Sequence, residues 1–122
     1  MRSTATFMEE LLRRVPELKP LYDEHLRDNQ LLLPHLLMAN ITRFAIGAGD
    51  LAPRTESTRA LLGCLEAGLS DGNDEVKELI GVSFAENLIG EVEGLERLRP
   101  LMGSILRTEV DRFCGYAEGG EV

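Results

Sequence analysis

Between Leu79 and Ile89 a single charged residue, Glu86, interrupts a run of apolar and small side chains. Placed on a helix at 100° per residue, the run is apolar almost all the way round, which suits a helix enclosed by neighbours on two or more sides. Asp74–Ile89 is therefore predicted as the central helix of the fold. Ser70-Asp71-Gly72-Asn73 reads as a turn and Asn73 as an N-cap, while Asp74 and Glu75 set negative charge on the positive end of the helix dipole. Val76, Leu79, Ile80, Phe84 and Leu88 fall at core spacing, and Val82 and Ile89 are expected to cover the opposite side. Ser83, Glu86 and Asn87 project in neighbouring directions and form a polar patch on this apolar helix.

The helical period recurs along the rest of the chain. Thr6-x-x-Glu9 reads as a capping box opening a first helix with the stripe Phe7, Met8, Leu11, Leu12 and Val15, which Pro16 ends. A second helix over 17–28 tolerates Pro20 in its first turn and gathers Leu18, Leu21, Tyr22, His25 and Leu26 on one side. A third, over 31–48, takes Pro34 in its first turn, buries Leu37, Met38, Ile41, Phe44 and Ala45, and carries Arg43 as its one formal charge. Arg43 and Glu86, lone charges on the two most apolar helices, are expected to approach each other as an ion pair. A breaker at 47–53 precedes a fourth helix over 53–67 with Gly68 as its C-cap. Gly90 and Gly94 weaken helical continuity, although Val92, Leu95 and Leu98 keep its spacing. A last helix covers 100–113, with Leu101, Met102, Ile105, Leu106, Val110 and Phe113 inward.

No segment alternates with period two between hairpin turns, so the class is all-α. A compact bundle of five to six helices around the helix near 74–89 is the preferred architecture, with a short stack of helical hairpins, HEAT-like, as the alternative. Residues 1–114 read as a single helical domain and 115–122 as a flexible C-terminal tail.

Charge narrows the function classes. A formal charge of −8 over 122 residues, with a pI near 4.7, argues against nucleic acid or an anionic membrane and favours a basic protein partner. The apolar third helix resembles a membrane span in length, but Pro34, His35, Asn40, Thr42 and Arg43 make it too polar for hydrocarbon. Glu9, Glu10, Arg13 and Arg14 break any signal-peptide pattern near the start. Cys64 and Cys114 form no C-x-x-C and have no nearby His, so they read as buried thiols in a reducing, cytoplasmic protein.

Enzyme chemistry finds no complete constellation. A carboxylate-bridged di-metal bundle needs Glu-x-x-His pairs, but Tyr22 and Leu32 stand three positions before His25 and His35. His25-x-x-Asp28, with Asp23 and Glu24, offers a weak metal site, against which a solvated acidic turn is the simpler reading. Ser83 lies mid-helix without the glycine-flanked elbow of a hydrolase nucleophile. No phosphate loop, G-x-G-x-x-G or H-E-x-x-H occurs. The expectation is no catalytic residues, no metal and no cofactor.

Leu32-Leu33-Pro34-His35-Leu36-Leu37-Met38 and Val76-Lys-Glu-Leu-Ile-Gly-Val-Ser-Phe-Ala-Glu-Asn-Leu88 resemble a family of small, uncharacterised bacterial all-helical proteins, some of them toxin-immunity-like. The resemblance covers about Phe7–Phe113. It implies a bacterial cytoplasmic helical domain with a partner-binding role, and carries over no catalytic or ligand residues. The chain thus reads as an acidic, non-enzymatic interaction module of the immunity or inhibitor kind, or as a homo-oligomeric scaffold. The alternative is a small-ligand binder or enzyme whose niche combines Ser83, Glu86, Asn87, His35 and Arg43.

Overall fold

In the computed structural model of the chain, which describes residues 1–50 and 55–115, Ser3 rather than Thr6 caps the first helix. The Ser3 Oγ accepts from the Thr6 N–H at 3.2 Å, so α1 spans Thr4–Arg14, starting before the expected capping box. Pro16, which cannot supply the next helical N–H, ends α1 as expected and opens a 3-10 turn, Pro16–Leu18, that leads into α2, Lys19–Asn29. Gln30 adopts the left-handed conformation at φ 65°, and the Leu33 N–H donates to His25 Nε2 at 2.9 Å. That reversal keeps Leu31–Leu33 out of the third helix, so α3 is Pro34–Asp50.

Helix α4 spans Thr55–Asp71, and Gly68 lies buried within it rather than at its end. The lack of a side chain there allows close packing, because a Cβ would sit 2.7 Å from Ile80 Cδ1 and 2.9 Å from Phe7 Cε1. Residues 51–54, the end of the expected breaker and the start of the expected fourth helix, lie outside the described residues, as do residues 116–122 of the expected tail. Asn73 caps α5, Asp74–Ile80, as predicted, its Oδ1 accepting from the Val76 N–H at 2.9 Å. The backbone of Arg2 bridges to the turn before it, donating to Asp71 O and accepting from the Asn73 N–H, each at 2.8 Å.

The central segment stays helical from Asp74 to Leu88 but not uniformly α. Gly81–Ala85 form a π turn, in which the Glu86 N–H reaches back to Gly81 O, and Glu86–Leu88 close as a 3-10 turn. Ile89 is extended and lies outside the run. Val76, Leu79, Ile80, Phe84 and Leu88 are buried as predicted. Val82 and Ile89 are not cover for a second core face, since they are 39% and 53% exposed. The run is enclosed by α3 along one flank and by α7, Ser104–Cys114, along another. Helices α1 and α4 lie against its α5 portion. At Gly81 the α7 side chains come in closely, a built Cβ lying 2.6 Å from Glu109 Oε2.

Helix α6, Val92–Leu98, is a helix beyond the five or six expected and brings the described residues to seven. Gly94 lets it approach α3, where a Cβ would be 3.3 Å from Ile46. The expected last helix starts late because Arg99–Leu101 form a 3-10 turn. Glu66 of α4 then caps α7, accepting from the Leu106 N–H at 2.7 Å and the Ile105 N–H at 3.1 Å. Among the described residues there is no strand, and no helix is long and apolar enough to cross a membrane. One cluster of buried side chains, including Phe7, Leu11, Met38, Leu65, Ile80 and Phe84, joins these helices. Each large apolar member contributes roughly 1.5–3 kcal/mol by leaving water.

Candidate functional site

Three of the five residues expected to form a niche meet at the π turn. His35, in the first turn of α3, places Nδ1 2.6 Å from the Oγ of Ser83. Asn87 Nδ2 donates to the Ser83 carbonyl at 2.6 Å, and Thr42 Oγ1 stands 3.2 Å from the same oxygen and 2.8 Å from Met38 O. The winding changes from π to 3-10 at this carbonyl, where the Asn87 amide supplies one donor and the single Thr42 hydroxyl proton is shared with the nearer Met38 O. Thr42 was absent from the expected set, although it lies seven residues after His35 and so on the same face of α3.

A Ser–His contact invites a nucleophile reading, but Ser83 is only 5% exposed and is held on helical backbone, where a substrate carbonyl has no approach. What the arrangement does is tie the start of α3 to the central run. One proton, on the imidazole Nδ1 or on the Ser83 Oγ, is shared across that contact. That ring also walls a cavity of about 230 Å³ with Thr4, Pro34, Glu75, Glu78 and Leu79. Glu75 was read from the sequence only as a helix-dipole charge, and neither it nor Glu78 was placed in the niche. Their three-residue spacing on α5 was the available signal.

Glu86 and Arg43 are placed elsewhere. Glu86 is exposed on the solvent side of the run, and the Arg43 guanidinium donates to Asn40 Oδ1 one turn earlier on its own helix. Both side chains are exposed and no described ion pair joins them, so the expected Arg43–Glu86 pair does not form. The reason is rotational: Arg43 projects toward α2 and lines a second cavity, of about 290 Å³, with Glu24, His25 and Asp28. His25 is neither a solvated turn residue nor part of a metal cluster. It is 4% exposed and held by Leu33, and no group of three or more His, Cys, Asp or Glu among the described residues is arranged to hold a metal.

Among the titrating groups, burial pushes the thiols of Cys64 and Cys114 up. A hydrogen bond from Arg2, at 2.6 Å, holds the Glu10 carboxyl below the usual carboxylate range.

A family model described as Domain of unknown function (DUF7674) matches residues 8–115, from within α1 to the C-cap of α7. The chain belongs to that family. The DUF7674 match includes the π turn, His35 and both cavities' central residues, while Thr4 and the Arg2 bridge lie before it. No curated protein and no solved structure matches this DUF7674 chain.

Proposed function

We propose that the chain is a non-enzymatic protein–protein interaction module of a bacterial cytoplasm, of the inhibitor or immunity kind, that docks a basic partner. The observation carrying this reading is the solvent side of the central run, where Glu75, Glu78, Val82 and Glu86 are all exposed at helical spacing and Ile89 is exposed just past its end. Val82 between three carboxylates, with Ile89 beyond the last of them, suits a basic, partly apolar surface, and the charge of −8 would steer it. The packing of α1, α3, α4 and α7 on this run supports reading the fold as a bundle rather than a stack of hairpins. A homo-oligomeric scaffold is the companion reading.

The test is capture from lysate at low salt and at about 0.5 M salt, where exposed charge attraction is screened. Wild type is compared with the triple variant Glu75→Lys, Glu78→Lys, Glu86→Lys, its fold checked by circular dichroism. A stoichiometric basic protein lost in high salt and lost to the variant supports the reading. Recovery of the chain alone, or a partner that the folded variant retains, refutes it. The second reading, a small-ligand crevice, draws on the cavity beside His35, where Glu75 and Glu78 take the part expected of Glu86.

A further inference from the structure

The α2–α3 cavity has its own chemistry, independent of the acidic strip. On the α2 side it presents Glu24, Asp28 and Asn29, and on the α3 side Asn40 and Arg43. Opposite charges thus face one cavity, yet among the described residues no ion pair joins Arg43 to Glu24 or Asp28; its guanidinium donates instead to Asn40. That bond takes up the amide oxygen of Asn40 and leaves its Nδ2 as a donor.

His25 supplies a second, separate observation. Its Nε2 accepts from the Leu33 N–H at 2.9 Å. A ring nitrogen that accepts bears no proton, so the neutral ring carries its proton on Nδ1. Beside Nδ1, at 3.4 Å, stands Asn29 Nδ2, itself a donor already directed to His25 O at 2.9 Å. Turning that amide over would set two oxygens against each other at the 2.9 Å contact, so the turned form is disfavoured. The Nδ1–H of a ring only 4% exposed therefore lacks an acceptor among the described residues. His25 lines the cavity together with Asn29, the neighbour of Nδ1, whereas Leu33, the partner of Nε2, does not line it.

We propose that this cavity binds a small zwitterion of the free α-amino-acid class. The carboxylate accepts from Arg43, Asn40 Nδ2 and the unpaired His25 Nδ1–H, and the ammonium lies toward Glu24 and Asp28. A simple anion is repelled by the two carboxylates, and a simple cation leaves Arg43 and the buried N–H unserved. At about 290 Å³ the cavity is at the lower end of ligand-sized clefts, the scale of one amino acid.

The experiment is a titration of the isotope-labelled full chain with each common L-amino acid in turn, followed by amide NMR, with acetate and ethylammonium as controls. Saturable shifts at Asn29, Leu33 and Asn40 with at least one amino acid, unmatched by either control, are expected. Arg43→Gln and Asp28→Asn should each weaken that binding at least about tenfold with spectral dispersion intact, because both are surface positions outside the core. Long-range proton–nitrogen correlations should find the His25 proton on Nδ1. The proposal is overturned if no amino acid gives a saturable shift, if acetate or ethylammonium binds as well, if both variants bind like wild type, or if the His25 proton is on Nε2.

Discussion

Asp111 on α7 faces Arg99 in a two-pronged contact, with Nε to Oδ1 at 2.8 Å and Nη2 to Oδ2 at 2.6 Å. The Asp111 side chain is almost buried while Arg99 keeps a path to water. Removing the carboxylate charge is therefore less costly than orphaning a fully buried ion. Asp111→Asn should lower stability by about 3 kcal/mol in urea unfolding, the lower end for a broken buried pair. Glu66 acts differently, since it meets two helix-terminal N–H groups rather than a cation. Glu66→Gln keeps the shape and one acceptor oxygen, and should cost about 1 kcal/mol by the same measurement. Neither contact was legible in the sequence, because each joins residues separated by a helix break whose geometry no periodicity specifies.

Two glycines in helices show how an element's surroundings decide the sign of one substitution. At Gly47 a Cβ would meet nothing within 4 Å, so Gly47→Ala should stabilise by about 0.5–1 kcal/mol through helix propensity. At Gly68 the same gain is opposed by overlap with Ile80 and Phe7, both buried and unable to retreat. Gly68→Ala should be net destabilising by about 1–2 kcal/mol, read from paired thermal melts. The π turn makes a third element-scale prediction. Thr42→Val and Asn87→Ala each leave the Ser83 carbonyl one donor, so each should cost under about 1 kcal/mol. The double variant should lose about 1 kcal/mol more than their sum, because the carbonyl then has neither side-chain donor. Strict additivity in that cycle would rule out the shared cap.

The same elements show what the pattern could and could not give. Apolar spacing located the central run and its five core positions, because burial of large side chains dominates its placement. It misjudged Val82 and Ile89 because a lack of charge was read as burial, whereas isolated apolar residues sit on surfaces at modest cost. It brought His35, Ser83 and Asn87 into one group through their rarity on apolar helices. It placed Arg43 wrongly because a single charge specifies a need for a partner but not which neighbour meets it.

For the molecule as a whole, pH should erode stability from both ends. Glu10 is held below the usual carboxylate range by Arg2, so its contribution is present above the ordinary glutamate range and is lost as pH falls through its depressed value. The thiols of Cys64, buried, and Cys114, half-buried, act in the opposite direction. Folding raises them, so the unfolded chain releases those protons first and stability declines as pH rises past the ordinary thiol range. Denaturant midpoints across pH should therefore fall at acid and at alkaline pH, the acid arm shrinking in Glu10→Gln and the alkaline arm in Cys64→Ala.

The central run is fifth in chain order, yet helices from both earlier and later in the chain pack against it. A growing polypeptide therefore extrudes four amphipathic helices before the segment that fills their shared groove has been made. Until residue 88 has cleared the exit tunnel, those four helices can close only on one another and the faces that meet the run stay open, so a chain halted at residue 73 should melt without a cooperative transition. Synthesis of this protein thus holds its nascent form open until late, a window in which a holdase chaperone has the most surface to grip.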